Sequence, residues 1–522
     1  MIYYKEFNNK NVYLVALATL AIGLPWSNLL MSIAQIILIV NWIFGLDFKN
    51  KFALAKQNTS LLLIVSLSVL HLVGLLYSSN FTYAFKDIIN KLPLFVLPLV
   101  IATSKPLAKF EFKFILYFFC AATVITTFLN LGYYFGIFVD INHPSGFFSN
   151  YISHIRYSLV ICLAIFILFN YAFRKSELSK KCFVLAVISI VWLIVYLFLL
   201  KSLTGIIVFF VVTIAIFFYF SFIQKQNFAN RWIFISLLII FIFTVFSFYN
   251  VVKKYYETKP LNWKTLELKT INGNNYEHNW LGNQRENGNY VGVYVCWVEL
   301  EKEWVKKSTK NYMGEDSLGQ SLRFTLIRYL ASKNLRKDSV GLNALSAHDI
   351  KMIESGATNF LPKQGLHARV EMLLFEFENY MLGGNPSGHS VAQRLEYWKT
   401  AMSIIKQNFW FGVGTGDVSD SFKQAYIETN SPLDERWRLR AHNQYISIFV
   451  AFGAFGFLIF FASLFSPIIL LYKKSTFNYV VFLIIVCLSF LTEDTLETQA
   501  GVTFFAFFNS YLLFAYRKEK QK

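Results

Sequence analysis

Long apolar runs alternate with short polar segments along most of this chain. Crossing the hydrocarbon core of a bilayer takes roughly 20 residues of α-helix. Runs of about that length lie near residues 11–25, 29–46, 60–78, 92–104, 113–137, 155–173, 182–200, 204–222, 232–250, 444–472, 477–493 and 499–516. The pattern predicts an α-helical polytopic membrane protein with about twelve transmembrane helices.

One long polar stretch interrupts the apolar pattern and predicts a separate domain. The chain then divides into a membrane part at 1–250 with helices one to nine, a loop domain at 251–443, and a membrane part at 444–522 with helices ten to twelve. Within the loop, Tyr290–Val298 alternates like a strand. Helical patterns cover Ser321–Ser332, Ala347–Ser355, Arg369–Met381 and Val391–Gln407. We therefore predict an α+β loop domain that is mostly helical.

Basic residues concentrate in alternate loops, which predicts the orientation of the helices. The basic loops contain Lys49, Lys51 and Lys56, then Lys105 and Lys109, Arg174 and Lys175, Lys225 and Arg231, Lys473 and Lys474, and the C-terminal Arg517 and Lys518. The alternate loops are poorer in basic residues, with Lys86 and Lys91 as a mild exception, and 493–499 is acidic. The positive-inside rule then places both termini in the cytoplasm and the large loop outside.

Composition supports this membrane assignment and argues against two other classes of protein. Hydrophobic residues make up 55% of the chain and charged residues only 15%. The net charge of +18 follows the loops, so it indicates topology and contact with membrane lipid, and we expect no nucleic-acid partner. The five cysteines and eight histidines show no spacing typical of a metal site. We expect no metal and no cofactor.

Two candidate groups lie at predicted outer ends of helices. In the first, Arg156 follows His154 at the start of the sixth predicted helix, where a cation beside a helix N-terminus favours an anion. In the second, Lys201 lies in the turn between the seventh and eighth helices. Both residues fit an alternative interpretation, in which a long basic side chain only anchors a helix at the membrane surface.

A third group combines an amphipathic pattern with a glycine-rich turn. Arg394 begins a helical face that continues through Trp398, and the run leads to Gly414 and Gly416. Alternate glycines let a backbone approach a ligand closely. The turn lacks the Gly-Lys-Ser/Thr of a phosphate-binding loop. The stripe alone also fits a helix that lies on the membrane.

The fourth group directly precedes the tenth predicted helix. It contains Arg438, Arg440, His442 and Asn443. The two arginines favour the neutral imidazole, which suits a general base. Asn443 also fits a helix cap, and a histidine at a membrane surface is often inert.

Together these groups predict chemistry on an anionic, lipid-linked substrate. Arginines bind pyrophosphate in bidentate fashion, and a histidine accepts the proton of an attacking hydroxyl. Cationic side chains would then stabilise the leaving group directly.

The motifs resemble those of the O-antigen ligase family, the lipopolysaccharide ligase and Wzy-type polymerase group. The resemblance rests on Arg394-x-x-x-Trp398, Asn408–Gly416, Ala441-His-Asn-Gln-Tyr445 and Gly453-Ala-Phe-Gly456. About twelve helices with one large loop before the last few also match. The similarity is best over 140–250 and 390–465, and residues 257–385 look specific to this lineage.

The resemblance implies transfer of a glycan from undecaprenyl pyrophosphate to a periplasmic acceptor, with inversion and without a metal. His442 matches the family's catalytic histidine, and Arg394 its loop arginine, with Arg440 as a rival. The family's Ser-Arg pair reads Ser202-Leu203 here, so Lys201 or Arg156 would substitute. The implied acceptor is lipid A-core, another glycan or a protein, and the implied location is the bacterial inner membrane.

Several alternatives remain open on the sequence. A Wzy-type polymerase or a protein O-glycan ligase would use the same donor. An anion transporter would place ionisable groups near the middle of the membrane, where His71 is the nearest candidate. A structural scaffold would need no cluster of outer cations.

Overall fold

A computed structural model describes residues 2–138, 152–174, 178–218, 228–257, 261–279, 284–361, 365–470 and 476–516. Most of these residues are helical. Several of the basic residues used above to predict orientation lie outside the described residues, namely Lys175, Lys225, Lys473, Lys474 and those after 516.

The N-terminal half of the chain folds almost entirely into helices. They are α1 (Ile2–Trp26), α2 (Asn28–Phe44), α3 (Phe48–Gln57), α4 (Thr59–Val73), α5 (Phe81–Lys91), α6 (Pro93–Thr103), α7 (Lys109–Tyr134), α8 (His154–Phe169), α9 (Lys180–Leu199), α10 (Leu203–Phe218) and α11 (Phe228–Tyr256).

The remaining elements include one short ribbon of two strands. The strands are β1 (Arg285–Glu286) and β2 (Asn289–Tyr290), which pair antiparallel. The helices are α12 (Trp297–Lys307), α13 (Leu322–Ser332), α14 (Ser339–Asn343), α15 (Ala347–Glu354), α16 (Gly365–Met381), α17 (Ser390–Gln407), α18 (Val418–Glu428), α19 (Gln444–Leu470), α20 (Phe477–Ser489) and α21 (Gln499–Phe514).

Every predicted apolar run falls on a helix. Among the described residues, five helical segments are each long and apolar enough to cross a membrane: Thr59–Tyr77, Lys109–Tyr134, His154–Phe173, Lys180–Leu199 and Gln444–Leu470. The bent pair α2 and α3 would make a sixth if it is one broken span. The described part of the chain is therefore mostly helical, with several helices that could span a membrane, and the total of twelve spans stays a prediction.

The chain forms two compact units. The first comprises residues 1–237, 398–429 and 439–522, and the second comprises 238–397 and 430–438. In the first unit, α1 packs on α2 and α7, α4 packs on α19, and α6 packs on α21. Helix α8 contacts α7, α9, α10 and α20, and most of its side chains are buried.

Helix α19 is broken in its middle. Gly453 has a φ of 61° and a ψ of −162°, outside the helical region. A Cβ at this position would come within 2.3 Å of the Trp410 backbone, so only glycine fits.

The second unit has a small core of its own. Helices α12, α13 and α15 bury Leu300, Trp304, Leu326, Leu330 and Ile353 against one another. The four helices predicted between residues 321 and 407 are confirmed, each within a few residues of its predicted bounds, and the last of them continues into the first unit. Their amphipathic period is a local signal, which explains the agreement.

The predicted strand at Tyr290–Val298 is wrong. Only Tyr290 belongs to a strand, and Trp297 already begins α12. Tyr294 has a φ of 59°, which is incompatible with a continuous strand. Val295 instead makes isolated β-bridges to Glu277 and Lys337. The alternating valines of this segment are therefore buried without forming a hydrogen-bonded strand ladder.

Candidate functional site

His442 lies in the short connection that leads into α19. Its φ of 47° is left-handed, an uncommon conformation for a residue other than glycine. The next residue, Asn443, caps the helix by accepting a hydrogen bond from the Ile446 amide at 3.1 Å. The Asn443 side chain also donates to the Leu491 carbonyl at 2.9 Å. The cap expected from the sequence is confirmed, and it fixes the backbone next to His442.

The acidic turn, residues 493–497 between α20 and α21, holds the His442 backbone. The His442 amide donates to Asp494 Oδ2 at 3.0 Å, and Ser447 Oγ donates to Asp494 Oδ1 at 2.7 Å. Asp494 is only 6% exposed. Its burial, followed by the repulsion of Glu497, raises the pKa of the Asp494 carboxyl above its usual range.

A buried ionic network continues from the acidic turn. Glu497 Oε2 accepts hydrogen bonds from Lys91 Nζ at 2.9 Å and from Arg440 Nη1 at 2.7 Å. Lys91 also donates to Asp87 at 2.6 Å, and Arg440 donates to the Tyr83 hydroxyl at 3.2 Å. Two cations and two carboxylates thus balance one another in the first unit.

Pairing stabilises the ionised forms of Glu497 and Arg440. Burial alone would raise the pKa of Glu497, but Lys91 and then Arg440 outweigh it and keep that pKa well below its usual range. The pKa of the Arg440 guanidinium is raised, because the attraction of Glu497 exceeds the cost of burial. Arg440 is therefore always a cation, and Glu497 compensates much of its charge.

A small cavity borders the network. It measures about 20 Å³, and its lining includes His71, Thr415, Arg440 and Glu497. That volume suits one water molecule and excludes a sugar or a pyrophosphate. A substrate must therefore bind outside the network.

Arg156 lies near the same acidic turn. Ser153 caps α8, accepting from the Arg156 amide at 3.5 Å, and His154 is exposed at the helix start. Arg156 is within electrostatic range of Glu493 and Asp494. Its Nε atom is buried and has no hydrogen-bond partner in the described part of the chain. Asp494 is thus a common neighbour of Arg156 and His442.

The turn between α9 and α10 takes the predicted form. Lys201 is exposed, with a φ of 55°, and Ser202 is buried. Ser202 Oγ donates to Ser158 Oγ at 3.1 Å and accepts from the Gly205 amide at 3.3 Å. Ser202 therefore joins the start of α10 to α8, the helix that carries Arg156.

Side chains of the first unit also fix the segment that precedes His442. Trp398 Nε1 donates to the Ala441 carbonyl at 2.9 Å, and the Tyr426 hydroxyl donates to the Leu439 carbonyl at 2.5 Å. The Trp398 side chain therefore has a structural role. The backbone is held before His442 by these bonds and after it by the Asn443 cap, so His442 cannot easily leave its left-handed conformation.

The glycine-rich turn packs against the break in α19. The amides of Val413 and Gly414 donate to the carbonyls of Val450 and Ala451 at 3.0 and 2.8 Å. The Gly416 amide donates to Ser78 Oγ at 2.9 Å. A Cβ at Gly414 or Gly416 would lie within 2.7 Å of Ser78 Oγ or 2.4 Å of the Asn80 carbonyl. In this structure these glycines allow close approach to the chain itself.

In the comparison with protein families, the matched residues include several of the site residues described above. Residues 349–461 match the family model described as O-antigen ligase. The chain contains an O-antigen ligase family domain. No curated protein matches the chain.

The O-antigen ligase domain includes most of the predicted site residues. Arg394, Trp398, the glycine-rich turn and His442 all lie within 349–461. Arg394 and Arg438 belong to the second unit, where Arg438 Nε donates to the Leu433 carbonyl at 3.0 Å. Arg440 and His442 belong to the first unit. The match supports an enzyme that handles a glycan in general terms.

Sequence reasoning missed the carboxylates that organise the site. Asp494, Glu497 and Asp87 lie outside the O-antigen ligase domain match, as does Lys91. Two signals were present in the sequence: the acidic turn itself, and Lys91 as an exception to the positive-inside rule. Both are explained by the pairing of Lys91 with Glu497 across the first unit.

Proposed function

We propose that this chain transfers a glycan from undecaprenyl pyrophosphate to an acceptor at the outer face of the bacterial inner membrane, as an O-antigen ligase does. The observation that carries this proposal is the placement of His442. It lies within the matched domain, in a left-handed conformation, and its amide is bound by Asp494. Residues held in such conformations concentrate at functional sites.

His442 acts as the general base in this proposal. Its imidazole takes the proton of the acceptor hydroxyl, and the freed oxygen attacks the anomeric carbon of the donor sugar. The bond between that carbon and the pyrophosphate oxygen breaks, which inverts the configuration. We propose that cationic side chains rather than a metal ion stabilise the charge of the departing pyrophosphate.

In this chain Leu203 stands where the family has an arginine, and Arg156 is the best replacement for that arginine. Its Nε has no hydrogen-bond partner among the described residues, and it shares Asp494 with His442 as a neighbour. Lys201 is exposed in its turn, and Arg440 is already paired with Glu497. We propose that Arg156 contacts the pyrophosphate directly and that Arg440 mainly positions the segment beside His442. Arg394 remains the proposed arginine of the loop domain.

The proposed topology follows the sequence. Twelve spans place both termini in the cytoplasm and residues 251–443 in the periplasm. Within that segment, 251–397 and 430–438 belong to the second unit and the other residues to the first. The many polar side chains of the second unit support this, since they would be costly inside a bilayer.

The test is glycan display in cells that lack this protein and are complemented at matched membrane levels. His442→Ala is expected to abolish transfer and to leave lipid-linked polymer accumulating, because general-base catalysis contributes roughly 10²–10⁴-fold. His348→Ala, at an exposed histidine of α15, is the matched control and should behave as wild type.

The outcomes separate the related activities. Loss of polymer from its acceptor supports the ligase, whereas a collapse to single repeat units identifies a polymerase. Full display with His442→Ala contradicts the proposed base.

A further inference from the structure

A second cavity lies at the other end of the first unit, where the loops are basic. It measures about 450 Å³ and is bounded by the ends of α1, α2 and α6 and by α3. The glycan-transfer site contributes none of its lining residues. A volume of this size accommodates a small polar group such as a phosphate ester with its glycerol.

The lining of this cavity has a positive charge balance. Lys10, Lys51 and Lys105 lie on its wall, against a single lining carboxylate from Asp47. Lys10 is paired with Glu111 at 2.6 Å, so the positive balance rests on Lys51 and Lys105. Lys51 Nζ donates to the Trp42 carbonyl at 2.5 Å and lies 4.8 Å from the centre of the Trp42 ring. These contacts fix one cation on the wall, and the net charge favours an anionic occupant.

Helix α3 relates the cavity to a membrane surface. It bends away from α2 by 112°, and no residue along it is buried. Phe48 and Phe52 share one face and are 47% and 73% exposed. Lys49 and Lys56 flank this face at helical spacing. An apolar face bordered by lysines is typical of a helix that lies in the bilayer interface.

The cavity borders this face of α3, because Lys51 Nζ lies 5.2 Å from the centre of the Phe48 ring. Asn50, Lys51 and Leu54 belong to the lining, whereas Phe48 and Phe52 do not. With the phenylalanines in the interface, the cavity opens at the depth of the lipid headgroups. A headgroup phosphate is the anion that is always present at that depth.

We propose that this cavity binds the headgroup of an anionic phospholipid, with Lys51 and Lys105 facing its phosphate and α3 lying on the same leaflet. The site is independent of the proposed glycan transfer. Each lysine near an anionic leaflet contributes about fivefold in affinity, so the pair contributes roughly 25-fold.

The test uses the full chain, purified in detergent and titrated with phosphatidylglycerol or phosphatidylcholine, with native mass spectrometry to count retained lipids. Wild type is expected to retain phosphatidylglycerol at concentrations where phosphatidylcholine is lost. Lys51→Gln with Lys105→Gln should weaken this retention by about 25-fold. Lys105→Gln alone, at an exposed position that does not threaten folding, should weaken it about fivefold.

The matched control is Lys180→Gln with Lys181→Gln, which removes two exposed lysines outside the cavity. It should retain phosphatidylglycerol as wild type does. Equal losses in both double variants would overturn the proposal, because they would indicate a diffuse effect of charge. Displacement of the lipid by inorganic phosphate at constant ionic strength would also overturn it, since the site would then recognise free phosphate.

Discussion

Two arginines, one in each unit, meet very different surroundings. In the second unit, Arg328 donates from Nε and Nη2 to Glu286 Oε1 at 2.9 and 2.7 Å, and its guanidinium lies 3.4 Å from the centre of the Phe375 ring. In the first unit, the buried Arg156 Nε has no hydrogen-bond partner among the residues described. Both arginines have carboxylates nearby, but only Arg328 is locked to one.

The difference separates a structural arginine from one that is available to a ligand. Asn359 completes the Glu286 pairing by donating to Oε2 at 3.0 Å, so that cluster is closed. At the acidic turn, the two carboxylate oxygens of Asp494 instead accept hydrogen bonds from the His442 amide and from Ser447 Oγ. A buried donor without a partner costs stability, and a ligand or a water molecule that accepts from it would remove that cost.

The largest effect is expected from opening the ionic network of the first unit. Glu497→Gln would leave Lys91 and Arg440 short of a counter-charge in a buried setting, which costs about 3–5 kcal/mol. The midpoint of thermal unfolding of the detergent-solubilised chain measures the loss. Asp420→Asn removes an exposed partner of Lys423 and serves as the control, with little change expected. Wild-type stability of Glu497→Gln would show that the network is not structural.

A slightly smaller effect should come from Arg156, and it should appear in activity. Arg156→Ala is expected to lower glycan transfer by about 10²–10³-fold, the usual cost of losing one preorganised donor. The unfolding midpoint should barely move, because Nε makes no hydrogen bond within the described residues. Arg156→Lys should recover part of the activity through its charge. A large loss of stability with unchanged transfer per folded molecule would reverse the comparison.

Arg328 should give the opposite result. Arg328→Ala is expected to destabilise the second unit by about 3 kcal/mol, since Glu286 would stay buried without its cation. Transfer per folded molecule should remain near wild type. Arg436→Ala, whose partner Glu315 and own side chain are both 57% exposed, is the control and should change neither quantity. A specific loss of transfer in Arg328→Ala would mean that this pair also serves the reaction.

The smallest effect concerns pH and again belongs to the second unit. Burial lowers the pKa of Lys337 to about 7, and its Nζ donates to the carbonyls of Tyr290 and Val293. The unfolded chain therefore binds more protons than the folded one above pH 7, so stability should rise with pH there. The slope is at most about 1.4 kcal/mol per pH unit. Comparing unfolding midpoints at pH 7 and 8, Lys337→Met should lack this rise. An identical slope in both proteins would exclude Lys337 as its source.

Local patterns in the sequence were enough for the helices. Apolar runs predicted the position of every helix that was assigned to the membrane, and amphipathic periods predicted α13, α15, α16 and α17. The strand at Tyr290–Val298 failed because alternation reports burial on one side, whereas a ladder also needs a partner strand of matching length.

The site was predictable only in part. His442 and its arginines stand next to one another in the sequence, so their charge pattern was visible. The pairing of Lys91 with Glu497 joins residues 406 positions apart, and no local pattern encodes it. The absence of a partner for Arg156 Nε within the described segments likewise depends on how α8 meets the acidic turn.

The break at Gly453 also has a consequence for how the chain is assembled. A membrane helix that loses backbone hydrogen bonds needs other partners for them. Here the Val450 and Ala451 carbonyls accept from the glycine-rich turn, and the Ala454 amide donates to the Phe409 carbonyl at 2.8 Å. Because the turn precedes α19 in the chain, it leaves the ribosome first and is already present when α19 enters the bilayer. Stable insertion of α19 therefore depends on the docking of this turn.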